Sequence, residues 1–198
     1  MILLMRRTVR VGESFSFSCI RCDKCCGTGP NVALTVYDVI RMSKLLDVDP
    51  KVFVRVYAKV IIADYVPFMT LAGDDLGRCV FMGVDREGKT YCKVYMARPL
   101  RCRIYPAIPI SPSQETLVLD EKCPGLGTGG TGSVPVKLFR HYAWEVKSHY
   151  ELLLKKVLDE GMEPLEALLC VLEKLREEAK TRSPQWCDLV WLESLGCT

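Results

Sequence analysis

Apolar and polar positions follow two different periods along this chain. Thr8–Val11 and Ser14–Ser18 alternate, which predicts two short strands. Thr35-x-x-Asp38 then has the form of a capping box. Behind it Val36, Val39, Ile40 and Leu46 recur at helical spacing, with Arg41 and Lys44 read as outward. Asp49-Pro50 opens a second helix, predicted to run to about Lys59, because a cap residue stands before a proline at the first helical position. Residues 60–72 are rich in β-branched and aromatic residues and read as a strand. The turn Asp85–Lys89 separates Gly77–Met82 from Thr90–Cys92, which predicts a hairpin with Cys79 on one arm and Cys92 on the other. Pro99 and Pro106 bracket Cys102 in a short helix or irregular wrap, and Glu115–Asp120 reads as a further strand.

After Pro135 the pattern changes. Residues 136–159, 164–180 and 184–195 read as three helices, and Leu165, Leu168, Leu169, Leu172 and Leu175 form an apolar stripe on the middle one. The predicted fold class is α+β. A small cysteine-rich metal-binding core with short strands and irregular wraps occupies residues 1–133, and a helical C-terminal region, 134–198, packs on it. The run Gly127-Thr-Gly-Gly-Thr-Gly132 lacks the Lys-Ser/Thr of a P-loop and the G-x-G-x-x-G spacing. It is expected to be a flexible loop at the boundary, not a phosphate cradle.

Composition narrows the function classes. Hydrophobic residues make up 49% and charged residues 26%, the balance of a globular protein. A net charge of +3 is too mild to argue for nucleic acid or an acidic membrane. The apolar run Met1–Met5, followed by Arg6 and Arg7, is too short for a signal peptide core or a membrane span, so the expected compartment is the cytoplasm. Thiols stay reduced there, and eleven cysteines then point to metal and not to a disulfide scaffold. His141 and His149 stand eight apart on a helix and read as structural. Cys170, Cys187 and Cys197 are expected to bind no metal. A Cys170–Cys187 bridge is weighed and set below free thiols.

The chemistry gathers at Cys19, Cys22, Cys25 and Cys26. Arg21, Asp23 and Lys24 between these thiols are wrong for a core strand. Two C-x2-C steps in a row can wrap three thiolates around one centre, and C-x2-C-x2-C with a remote Cys-Pro is a ferredoxin-type spacing. Structural zinc more often uses two separated knuckles. Cys123-Pro124 supplies the remote Cys-Pro. Cys79, Cys92 and Cys102 bring the thiols in residues 19–123 to eight, enough for two four-thiolate centres or one with reserve. Adjacent residues in an extended segment point to opposite sides, so Cys26 is expected to join a different set from Cys25, with Cys79 and Cys92 as its companions. Arg98, Arg101 and Arg103 could offset the negative charge of a thiolate-bound cluster or clamp an anion, with Arg98 and Arg103 favoured.

Taken together, Phe17, Cys19, Cys22, Cys25 and Cys26, then Cys79, Cys92, Tyr95, Arg98, Pro99, Cys102, Arg103, Tyr105 and Pro106, then Cys123, Pro124, Gly125 and Gly127 resemble the CxxCxxCC cysteine-cluster family, a zinc- or iron-chelating domain. The resemblance covers roughly residues 15–130 and departs at Asp23-Lys24, where the family commonly has Cys-Gly. A more distant resemblance reaches the cysteine pattern of flagellin lysine-N-methylases. The expected function is metal binding, with a 4Fe–4S cluster as the leading cofactor and zinc as the alternative. Two other readings stand beside it: an enzyme using the cluster for protein modification or redox chemistry, and a zinc-stapled module with a protein partner.

Overall fold

The computed structural model describes residues 7–27, 32–63 and 65–196, with the side chain of residue 63 left aside. The two predicted N-terminal strands form as β1 (Thr8–Arg10) and β2 (Phe15–Phe17). One helical turn, α1 (Lys24–Gly27), carries the paired cysteines, and β3 (Ala33–Leu34) leads into α2 (Val36–Leu46). The capping box holds as read: the Asp38 N–H donates to Thr35 Oγ1 at 3.1 Å, and the Thr35 N–H to Asp38 Oδ2 at 3.0 Å. Asp49 caps α3 (Pro50–Tyr57).

Residues 60–72 are not one strand. They divide into β4 (Ala58–Ala63) and β5 (Val66–Leu71), paired antiparallel with Val60 opposite Met69, and Tyr65 takes a positive φ of 69° at the reversal. Strand-forming residues on both sides of the turn concealed it. With β3 they make a sheet of order β3-β5-β4. The second hairpin is β6 (Met82–Val84) with β7 (Thr90–Cys92). Cys92 stands on its arm as expected. Cys79 precedes β6 and instead bridges Gly73. A single 3-10 turn, Tyr95–Ala97, and α4 (Leu100–Arg103) form the wrap around Cys102.

A third sheet, β1-β9-β8, adds β8 (Ala107–Pro109) and β9 (Thr116–Leu119). The glycine run is not a loop. It is the strand β10 (Leu126–Gly132), antiparallel to β2 with Leu126 opposite Phe17 and Gly132 opposite Phe15. Two glycines here are required by close approach, Gly130 in the strand and Gly125 just before it, whereas Gly127 and Gly129 take positive φ of 79° and 90°. A Cβ on Gly130 would lie 2.5 Å from the Phe17 carbonyl oxygen, and one on Gly125 only 2.4 Å from that of Ser18. Gly130→Ala is therefore expected to destabilise the protein by about 1–3 kcal/mol through overpacking. Urea midpoints of the two proteins check this, and an unchanged midpoint contradicts the close approach.

The C-terminal helices are α5 (Val136–Leu154), extended by a π turn over Lys155–Asp159, α6 (Pro164–Arg182) and α7 (Leu189–Ser194). The apolar face of α6 is rotated from the expected stripe. Ala167, Val171 and Ala179 join Leu168, Leu172 and Leu175 inside, whereas Leu165 is exposed, because small residues let α6 approach α2 and α3 closely. Buried residues fall into two apolar cores. One holds Phe53, Met69, Leu153, Leu168 and Leu172. The other holds Phe15, Phe17, Leu117, Leu119, Leu138 and Leu192. The helical region contributes to both.

Arg41, read as outward, is fully buried. The reason is electrostatic. Its guanidinium donates to Asp38 Oδ1 at 2.6 Å, to both oxygens of the buried Glu145 on α5, and to the Trp186 carbonyl at 3.0 Å. Burial would push Glu145 up, but Arg41 and His141 outweigh it and hold the carboxyl below its usual range; burial raises Asp38. Asp38 Oδ1 also accepts the Leu100 N–H at 3.2 Å, which fastens the start of α4. His141 and His149 are structural in position. His141 Nε2 stands 2.9 Å from Glu145 Oε1, and the buried His149 accepts the Val36 N–H through Nδ1 at 3.2 Å.

Burial lowers His149 from 6.5 to about 4. A depressed folded value means that the unfolded state binds the proton more readily. The stability due to neutral His149 is complete above about pH 6.5 and is lost as pH falls toward 4. Denaturant midpoints between pH 7 and pH 4 should drop more steeply for the native chain than for His149→Gln. Equal slopes contradict the assignment.

Candidate metal centre

The CxxCxxCC loop is bolted to its surroundings through the backbone. The Arg21 carbonyl, at a residue with φ 55°, accepts the Thr90 N–H at 2.9 Å, and Arg21 Nε returns a bond to the Thr90 carbonyl at 3.1 Å. This ties the loop to β7. Five residues on, the Cys26 carbonyl accepts the Cys79 N–H at 2.7 Å, so the segment before β6 lies directly against α1. On the other side the Ser18 N–H donates to the Gly125 carbonyl at 3.0 Å. Continuing the β2–β10 register past Phe17 and Leu126 brings Cys19 alongside Pro124 and Cys123.

All ten described cysteines are free thiols, Cys170 and Cys187 included. Cys187 fills the first core, Cys170 lies beside Lys156, and Cys197 falls outside the described residues. Cys19 and Cys25 are exposed, Cys22, Cys26, Cys92 and Cys102 are half-buried, and Cys79 and Cys123 are buried.

Adjacent Cys25 and Cys26 do not point apart. They belong to a helical turn and not to an extended segment, and their sulfurs are 3.7 Å apart. The hydrogen bond from Cys26 is the largest influence on Cys25 and lowers it to about 7, within reach of the thiolate at neutral pH. The same bond, with burial, pushes Cys26 up.

Cys102 is raised by burial first, then by the charges of Cys92 and Cys79, and Cys92 in turn feels Cys79. These thiols thus share one neighbourhood with Cys26. Cys25 acts on Cys79, Cys92, Cys102 and Cys123 alike, and Cys22 on Cys123, so the two groups of thiols meet at Cys25.

Burial raises Cys79, Cys92 and Cys123, and the backbone amides of Phe81 and Met82, of Val94 and of Gly125 oppose that rise only in part. Each such N–H stabilises the thiolate over the thiol. Tyr105, near Cys123, donates its O–H to Asp120 Oδ2 at 3.0 Å.

The predicted arginines have defined partners. Arg103 is fully buried against Glu193 on α7, 2.6 Å away, and bonds the Met96 carbonyl. Arg98 lies 3.6 Å above the Tyr95 ring; burial raises Cys92, and the Arg98 charge opposes that rise in part. Arg101 makes a side-chain hydrogen bond with Tyr142.

The donor chemistry is that of a soft metal: eight thiols and no disulfide among those described. Among the described residues, no three His, Cys, Asp or Glu side chains converge at metal-ligand spacing.

The sequence did not reveal Asp38, Asp120 or Tyr142 as neighbours of this region. Tyr105 belonged to the quoted motif but carried no signal of its acceptor, because Asp120 arrives from a separate turn. No helix of the described residues is long and apolar enough to cross a membrane.

Comparison with known proteins agrees with this chemistry. The model of the CxxCxxCC family, described as "Putative zinc- or iron-chelating domain", matches residues 18–124, just over half of the chain. No curated protein and no solved structure matches.

Proposed function

Because this chain belongs to the CxxCxxCC family, we propose that it is a thiolate metalloprotein whose principal centre is a 4Fe–4S cluster on Cys19, Cys22, Cys25 and Cys123. One observation carries this reading. The β2–β10 pairing delivers the remote Cys-Pro to the loop that already holds three thiols at doubled x2 spacing. Such a cluster supplies one-electron transfer when bound. The chain's own groups do the rest. The Gly125 amide, which favours the Cys123 thiolate, would help set the potential of the centre, as hydrogen bonds to cluster sulfurs do. Exposed Cys19 and Cys25 leave one edge open to a redox partner or a substrate. A reducing compartment such as the cytoplasm suits these free thiols.

Zinc is the second reading, and one distance favours it. The 3.7 Å between the Cys25 and Cys26 sulfurs matches the edge of a zinc tetrathiolate, about 3.8 Å for Zn–S bonds near 2.3 Å. Thiolates at cubane corners each take their own iron and stand farther apart.

Anaerobic purification separates these readings. The native protein should be brown and Cys123→Ser colourless. Brown colour retained in that variant removes Cys123 from the centre. A colourless native protein with stoichiometric zinc selects the second reading.

A further inference from the structure

We propose that β4 is an interface strand, which pairs antiparallel with β4 of a second copy of this chain. β4 lies at the edge of the β3-β5-β4 sheet, with β5 on one side only. The phase of its hydrogen bonding is fixed by two observations. The Ala72 N–H donates to the Tyr57 carbonyl at 2.9 Å, so these two residues form a hydrogen-bonded pair just before the strand. Alternation along the ladder then turns the backbone groups of Lys59 and Ile61 toward β5, and those of Ala58, Val60 and Ile62 away from it. Pro67 agrees with this phase. It has no N–H to give, and it stands opposite Ile62, where none is asked of it.

Among the described residues, no backbone group meets the outward N–H and C=O groups of Ala58, Val60 and Ile62. Natural edge strands are blunted by bulges, prolines, charges or a covering element. β4 runs against β5 without a bulge, holds no proline, and carries one charged residue, Lys59. Ile61 and Ile62 are 53% and 55% exposed. Such an edge is a template for another strand.

The register identifies that strand as β4 itself. The three outward residues are spaced evenly about Val60. A two-fold axis there sets Val60 against Val60 of the second copy and Ala58 against its Ile62, so every outward residue exchanges hydrogen bonds. The small Ala58 leaves room for Ile62. Lys59 lies against Ile61 of the second copy, where its aliphatic stem covers the exposed isoleucine and no like charges oppose each other. Sliding the pairing by two residues toward Ala58 loses one of the bonded pairs and sets Lys59 against Lys59. The symmetric register therefore wins on both hydrogen bonding and charge, and it joins the two sheets into one.

One strand from each copy makes a small interface, under about 1,200 Å² in total, so dissociation in the micromolar range is expected. The full-length protein, purified anaerobically with its metal, is followed by sedimentation equilibrium from about 1 to about 500 µM, a range that brackets such a dimer. Its mass should rise toward twice 22.4 kDa. Hydrogen exchange at the Ala58, Val60 and Ile62 amides should slow over the same range.

Substitutions at exposed Ile61 test the register without disturbing the core. Ile61→Lys sets a lysine against Lys59 of the other copy at two symmetric places and should weaken the dimer by about tenfold or more. Ile61→Glu sets opposite charges there and should leave the dimer at native strength or tighter. Adding Lys59→Glu to Ile61→Lys should restore it.

A monomer throughout the concentration range overturns the proposal. So does a dimer indifferent to Ile61→Lys, a dimer lost equally with Ile61→Lys and Ile61→Glu, or a Val60 amide whose exchange ignores concentration. A monomer that sediments with anionic phospholipid vesicles assigns the exposed isoleucines to a lipid surface and overturns it as well. The pairing draws on no thiol, so a colourless or zinc-loaded protein that dimerises in this way refutes the cluster and leaves the interface standing.

Discussion

Cys22→Ser is expected to lose the metal and to destabilise the protein in the same step. Cys22 is the middle member of the doubled x2 spacing, so its loss breaks both steps at once. It shares its neighbourhood with Cys123, the remote thiol delivered by β10. Serine is nearly isosteric with cysteine, so packing is preserved and the effect reports ligation. Iron in the variant should fall below roughly a tenth of the native content, because a hydroxyl replaces a soft thiolate in a site whose formation is coupled to folding. The thermal midpoint should fall with it, since binding energy that the folded state alone enjoys is lost. Elemental analysis and a thermal melt of the same sample check both. Full metal occupancy in Cys22→Ser would remove Cys22 from the centre.

The second large effect is at Glu145. Truncation to alanine should cost about 3–5 kcal/mol, because it leaves Arg41 fully buried and short of its main counter-charge. The damage should also reach the thiols. Arg41 orients Asp38, and Asp38 Oδ1 fixes the first amide of α4, the helix that carries Cys102. Replacing both partners, Glu145→Leu with Arg41→Met, should recover little unless Asp38→Asn is added, since Arg41→Met alone strands the buried Asp38 carboxylate. Urea denaturation of the single, double and triple variants measures this. A cost below about 1 kcal/mol for Glu145→Ala would show that the network is not a buried ion pair of consequence.

The readable parts of the sequence were those with a strong local signal. The Thr35–Asp38 box, the Asp49-Pro50 helix start, the Asp85–Lys89 turn and the three C-terminal helices each formed where local chemistry placed them. The misreadings all depended on what lies opposite in space. Arg41 is spaced like a surface residue, and only Glu145, far along the chain, makes its burial possible. Gly125 and Gly130 suggest freedom until the Ser18 and Phe17 carbonyls are set against them, where no side chain would fit. Cys25 and Cys26 read as diverging because an extended backbone was assumed, whereas the single turn of α1 swings their sulfurs together.

The cysteines themselves were legible from spacing, and the second partner of each was not. Nothing in the spacing indicates that Cys79 lies against the Cys26 carbonyl or that Cys123 is fastened beside Ser18. Those contacts come from strand pairing between segments more than fifty residues apart in number.

Iron and acid-labile sulfide, counted per chain in anaerobically purified protein, test the central claim most directly. About four of each are expected, with both lost together in Cys22→Ser. Stoichiometric zinc with neither iron nor sulfide in the native protein would contradict it.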